Sequence, residues 1–230
     1  MSFLEHSQSP SVALDGKGSL LTLLAIEVRG HSRLPIDDRM AAAHLQGALN
    51  LLLEGLEGEL PGFERVHRES CRLLLARKGH PGSASPAIQA LPERLLRRLD
   101  RLQAANTCPC AACERLARLR FKVVVHAGEM LVCRHGRDWE ITGLEATRHH
   151  RLSRAGLEGA ACLLLSEPAA CLLGVEGGEG FESLELDLDG FGPVPVWLRG
   201  WDRSDQVRRA SLVARLGMSL RKVFWGFRQR

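Results

Sequence analysis

Arg120 to Gly156 reads RFKVVVHAGEMLVCRHGRDWEITGLEATRHHRLSRAG, and the fold turns on this stretch. Phe121 to Val125 is apolar and β-branched, which suits a buried strand. Ala127-Gly128 predicts a tight turn or a close backbone approach, since glycine tolerates both. Leu131 to Ile141 returns as a more polar strand with a bend at Gly136. Gly143 then opens a helix carrying His149, His150 and Arg151. Strand ends and helix starts are where sites are built, and this segment has both.

Just upstream, Cys108-Pro109-Cys110-Ala111-Ala112-Cys113 places three thiols within six residues. A structural metal such as Zn wants four soft ligands, and a zinc ribbon shows a second Cys pair further on. Downstream the chain offers only Cys133, Cys162 and Cys171, all isolated, so no fourth ligand is evident. Cys108, Cys110 and Cys113 are therefore candidate structural metal ligands. The bland reading is a reduced loop with a packing or redox role, and a Cys108–Cys113 or Cys110–Cys113 disulfide needs oxidising conditions.

Further back, Leu20 to Arg29 (LLTLLAIEVR) is a nearly unbroken apolar run, the pattern of a central strand covered on both faces. Glu27 near its end needs either solvent or a partner. Ile36 to Gly58 is predicted helical, with Asp37 and Asp38 in the first turn and a core stripe of Leu45, Leu49, Leu52, Leu53 and Leu56. Phe63 to Ala76 reads as two strands joined around Arg68-Glu69-Ser70. Ala87 to Asn106 reads as an amphipathic helix whose Arg94, Arg97, Arg98 and Arg101 form a solvated face.

Beyond the opening stretch, Ala160 to Leu165 is a strand and Ser166 to Leu173 a short helix with Pro168 in its first turn. Phe181 to Leu188 alternates apolar and acidic residues, and Val194 to Leu198 closes the set. Residues 202–230 form a basic amphipathic helix fitted for packing, dimerisation or contact with a membrane surface. Three units follow: a flexible lead at 1–18, a domain at 19–200 and the basic C-terminal helix at 201–230.

The totals bound the reading. In 230 residues, 45% are hydrophobic, enough for a core and against wholesale disorder. The net charge of +4 is too mild to imply a nucleic-acid partner. No apolar leader and no run of about 20 apolar residues is present, so a soluble, cytoplasmic protein is expected. The order of elements, hairpins mixed with crossover helices, predicts an α+β sandwich with a ferredoxin-like kernel.

Three segments carry a family resemblance: LAIEVRGHSRL at Leu24–Leu34, RVHRES at Arg65–Ser70, and His126 to Leu152 with its His-x-Gly-Glu followed by a helix ending in Ala-x-x-x-x-Arg-Leu. They resemble the first strand, the hairpin tip and the central strand–helix unit of class III adenylyl/guanylyl cyclase catalytic domains. The chain is most similar to a bacterial single-domain branch that also has a Cys-x-Cys-x-x-Cys run. The resemblance implies a ferredoxin-like cyclase fold with a central, mostly antiparallel sheet and covering helices. It implies Mg or Mn held at Glu27 and Glu69, base recognition by Arg65 and Glu140, and transition-state stabilisation by Thr147 and Arg151. It also implies a nucleoside triphosphate ligand and a homodimer, or a heterodimer with a cyclase-like partner.

The departures are systematic. Glu27 and Glu69 stand where the family has Asp, Arg68 where the tip has Gly, and Thr147 where the family has Asn. No Lys lies between Lys122 and Lys222 to bind terminal phosphates. An extra methylene moves a carboxylate by about 1 Å, which Mg²⁺ geometry tolerates badly. The charge signs are nevertheless kept, as a structural ion-pair network would also require. The expectation is a degenerate cyclase-like regulatory or interaction module able to bind a nucleotide. The alternatives are an active divergent cyclase with Glu ligands and a Cys-cluster metal or redox sensor on the same fold.

Overall fold

The computed structural model describes residues 18–31, 39–135, 138–156, 159–175 and 180–203. Most of the lead, Asp37 and Asp38, the bend at Gly136 and residues 204–230 of the expected C-terminal helix lie outside the described residues, and Trp201, where that helix is expected to begin, ends a strand. Strand β1 (Ser19–Arg29) is the apolar run with Glu27, followed by helix α1 (Arg39–Leu53). The hairpin β2 (Glu64–Arg68) and β3 (Arg72–Lys78) turns at Glu69-Ser70, as the sequence predicts. Helices α2 (Ser85–Gln89), α3 (Leu91–Ala104) and the one-turn α4 (Ala111–Glu114) lead into β4 (Arg120–His135). Then come β5 (Asp138–Thr142), α5 (Leu144–Arg154), β6 (Ala161–Ser166), α6 (Glu167–Leu173), β7 (Glu182–Leu188) and β8 (Gly192–Trp201).

The sheet runs β2-β3-β1-β4-β6-β8-β7, with β5 paired to β4 beyond the main path. The subset β4-β1-β3-β2 is the strand order of a ferredoxin-like βαββαβ unit, and among the described strands only β4 with β6 is parallel. This is the expected α+β, mostly antiparallel architecture.

Leu24, Ile26 and Val28 of β1 point to one face, where α1, α3 and α6 bury Leu45, Leu49, Leu99 and Leu173 against the sheet. Alternation sends Ala25 and Glu27 to the opposite face. There α5 covers a smaller apolar patch of Ala25, Val124, Leu152, Leu164 and Val196.

Two details correct the sequence reading. Ala127-Gly128 is no turn: both pair with β1, opposite Thr22 and Leu21, and β4 runs on to His135 before reversing into β5. The glycine serves the close approach instead, because a Cβ on Gly128 would lie 2.6 Å from Cγ of Glu145 on α5. The expected helix at Ala87–Asn106 is divided into α2 and α3 near Ala90, with Pro92 in the first turn of α3, where its missing N–H costs nothing. Its arginines are not merely solvated. Arg98 donates to the carbonyls of Leu52 and Glu54 at 3.2 and 2.7 Å and pairs with Glu59, closing the C-terminal end of α1.

Candidate functional site

Glu27 stands between two cation-bearing strands. Its register partners are Arg72 on β3 and Lys122 on β4. Its carboxylate is only 16% exposed and meets Arg29 Nη2 at 3.4 Å and Arg72 Nε at 3.6 Å. Lys122 is buried, and its Nζ donates to the carbonyls of Leu152, Ser153 and Ala155 at 2.7, 3.0 and 2.7 Å. Arg29 donates to Ser153 and Ala155 as well, at 2.9 and 3.3 Å. The C-terminal end of α5, where the helix dipole is negative, is thus closed by two cations from the sheet. Burial, then Arg29, pushes the Lys122 ammonium down to about 8, while Glu27 opposes the fall.

Glu69 lies at the hairpin tip, 56% exposed, with its carboxylate 3.2 Å from Nε2 of His67. It sits at the same end of the sheet as Glu27. Cys71 lies between the two, and its thiol is pushed up first by burial and then by Glu69 and Glu27. The remaining positions implied by resemblance lie on β2, β5 and α5. Arg65 meets Glu57 at 3.3 Å. Glu140 is exposed on β5, opposite Cys133 of β4. On α5, the Thr147 hydroxyl donates to the Gly143 carbonyl at 3.1 Å, and one turn later Arg151 meets Asp189 at 3.1 Å.

Two groupings escape the sequence reading. The first is a buried relay linking β4, α5 and α6. His126, wholly buried, has Nδ1 2.8 Å from Ser166 Oγ and Nε2 2.9 Å from Glu145 Oε2, and Arg148 holds both oxygens of Glu145 at 2.8 Å. A Ser-His-acid order invites a nucleophile reading. Ser166 is 1% exposed, however, and its Oγ caps α6 by accepting the Ala169 N–H, so no substrate reaches it and the relay works as a clamp. Burial holds His126 below the ordinary histidine range against the pull of Glu145. It pushes the neighbouring His149 down to about 3, with His126 the next cause.

The second is at the Cys run. His44 of α1 brings Nδ1 to 3.3, 3.6 and 3.7 Å from the Sγ atoms of Cys108, Cys110 and Cys113. All four ligand atoms lie within 4.8 Å of one another. His44 lies 64 residues upstream of Cys108, outside the spacing of a Cys-pair motif. The signal available was its place beside Ala41, Leu45 and Ala48, on the apolar stripe of α1.

Comparison with known proteins places the architecture. The chain is similar to the adenylyl cyclase CyaB from P. aeruginosa, with 18% identity, 82% of this chain and 97% of that one covered, and a TM-score of 0.60. It is similar to the guanylyl cyclase Cya2, with 12% identity, 84% and 100% coverage, and a TM-score of 0.58. The fold is that of the nucleotidyl cyclase catalytic domains. The guanylate cyclase domain of RhGC from Catenaria anguillulae, solved in complex with GTP, follows at 13% identity, 82% and 99% coverage and a TM-score of 0.55. Residues 72–160 match a family described as a protein of unknown function (DUF2652). No curated protein matches the chain.

On that cyclase fold, the carboxylate at Glu27 stands between two guanidinium groups, while Glu69 is exposed at the hairpin tip. A metal-binding carboxylate must be free to give its oxygens to the ion. The Glu27 oxygens lie 3.4 Å from Arg29 Nη2 and 3.6 Å from Arg72 Nε, so two fixed cations stand beside the place an ion would take. The end of β1 does open on a cleft of about 1020 Å³, lined by Arg29, Gly30, Arg118, Arg120 and Arg203 together with the carboxylate of Asp202.

Proposed function

We propose that the chain is a regulatory or interaction module on a cyclase scaffold, one that binds nucleotide or another polyphosphate without cyclising it. The observation that carries this reading is the Glu27 carboxylate paired to Arg29 and Arg72. Fixed cations beside one carboxylate supply the counter-charge that a bound ion would bring, and they repel such an ion. The basic cleft beside Gly30 supports the anion-binding part. Its size suits a ligand, and Arg118 and Arg120 suit phosphate oxygens, while Arg29 and Arg203 are already paired within the fold.

The test is direct. Purified protein is incubated with ATP or GTP and Mn²⁺ or Mg²⁺, with Glu27→Ala beside it. No cyclic nucleotide is expected, and calorimetry is expected to show triphosphate binding that does not need a divalent ion. Cyclic product that vanishes in Glu27→Ala would overturn the proposal in favour of a divergent cyclase. No nucleotide binding would leave only the interaction role. For that role the partner expected from the fold is a second copy of this chain or a cyclase-like domain, which light scattering on the purified chain tests.

A further inference from the structure

We propose that His44, Cys108, Cys110 and Cys113 form a closed, tetrahedral Zn²⁺ site that pins α1 to the α3–β4 connection. The inference is independent of the nucleotide reading above.

The donor chemistry comes first. Three thiols and an imidazole are the Cys₃His set of structural zinc sites, and soft sulfur ligands disfavour Mg²⁺ and Ca²⁺. The geometry agrees. With Zn–S of about 2.3 Å and Zn–N of about 2.0–2.1 Å, a tetrahedron has N···S edges of about 3.5 Å. The observed edges from His44 Nδ1 are 3.3, 3.6 and 3.7 Å, close to that value for all three sulfurs. An iron–sulfur cluster has several metal atoms between its thiolates and would hold them further apart than the 4.8 Å limit seen here.

The loop is also shaped for thiolates. The Cys110 N–H points at Cys108 Sγ, 3.5 Å away, the kind of N–H···S contact that stabilises a ligating sulfur. Asn106 holds Cys108 by both backbone groups, accepting from its N–H at 3.3 Å and donating to its carbonyl at 3.1 Å. Cys113 is buried on α4 and the other three ligands are half-buried. Four protein donors leave no open position, which marks the site as structural and not catalytic.

The placement explains what the ion would do. Cys108 and His44 are 64 residues apart in the chain, and the loop holding the thiols runs directly into β4, the strand at the centre of the sheet. Bound metal would therefore couple the seating of α1 to the start of β4, and its binding energy would become folding energy.

The full chain, purified under reducing conditions without chelator, is expected to carry one zinc per molecule by mass spectrometry of the metal. Cobalt substitution is expected to give tetrahedral d–d bands with thiolate charge transfer. His44→Ala should lose the stoichiometric metal, and His44→Cys should keep it with a cobalt spectrum shifted by the added sulfur. In the wild-type protein, Cys108, Cys110 and Cys113 should resist alkylation until a chelator is added, which tests the site even if a variant does not fold. Reduced protein that takes up neither zinc nor cobalt would overturn the proposal. So would an unchanged cobalt spectrum in His44→Ala, iron with acid-labile sulfide, or alkylation at the same rate with and without chelator.

Discussion

Lys122→Met isolates what the buried ammonium does. Met keeps the apolar stem and removes the donor. The carbonyls of Leu152, Ser153 and Ala155 then lose contacts of 2.7, 3.0 and 2.7 Å. None is wholly orphaned. Arg29 still reaches Ser153 and Ala155, and the Ala155 N–H still reaches Leu152 at 3.2 Å. The loss at pH 7 is therefore about 2–3 kcal/mol, below the sum of three charge-assisted bonds. The pH dependence is the sharper signature. Burial and Arg29 push the ammonium from 10.5 down to about 8, so it is charged at pH 7. Between pH 8 and 10.5 the native protein has released a proton that the unfolded chain still holds. Stability then rises with pH, and at about 1.4 kcal/mol per pH unit the gain is about 3 kcal/mol. Met does not titrate, so the difference between the two proteins should widen from about 2–3 kcal/mol at pH 7 to about 5–6 kcal/mol near pH 10.5. Urea unfolding of both proteins at pH 7, 8, 9 and 10 measures it. A constant or shrinking difference would refute the reasoning, because it would mean that the three carbonyls and Glu27 outweigh burial.

Three other outcomes are expected. His149, fully buried and held down to about 3, favours the neutral ring, so its contribution is present above the unfolded value of about 6.5 and is lost as pH falls toward 3. Melting temperatures from pH 7.5 to 4 should fall more steeply for the wild type than for His149→Gln; equal slopes would contradict this. Gly128→Ala should destabilise by about 1–3 kcal/mol in chemical denaturation, because the new Cβ must displace Glu145 from 2.6 Å and with it the His126 contact, and an unchanged midpoint would show that α5 yields freely. Arg72→Ala frees one oxygen of Glu27 and should raise Mn²⁺ affinity measured by calorimetry; no gain would mean that Arg72 is not what keeps an ion away.

Periodicity made most of the fold legible. The apolar run of β1, the Glu69-Ser70 hairpin, the alternation in β7 and the helix opened by Gly143 all stand where their patterns predict, whereas the predicted strand Leu131–Ile141 is the end of β4 and then β5. Ala127-Gly128, readable as a turn or as a close approach, shows the limit of local signals. Glycine announces freedom of the backbone or room for a neighbour, and only the register with β1 and the side chain of Glu145 decide between them. The site was legible in sign and not in pairing. Glu27 could be recognised as a carboxylate needing a partner, but both of its arginines depend on strand register and rotamer. His44 is the same problem at longer range, a ligand on a helix that a search for Cys pairs passes over.

The pairing on the α5 face also changes what an acidic residue at position 27 means. Removing one member of a fully buried ion pair costs about 3–5 kcal/mol, and this half-buried cluster should cost less, because solvent reaches part of Arg29 and Arg72. Without Glu27, the side chains of Arg29, Arg72 and Lys122 would crowd one low-dielectric corner with no anion among them. Stability alone is therefore enough to retain a carboxylate there, and its presence is no marker of catalysis. The same argument fixes how the cyclase assay is read. Loss of product in Glu27→Ala speaks for chemistry only if the variant remains folded at the assay temperature. Glu27→Gln keeps the shape and a hydrogen-bonding oxygen while removing the charge, and it should destabilise less than Glu27→Ala. If both variants stay folded and any activity of the wild type survives in both, the carboxylate has no part in the reaction and serves the fold.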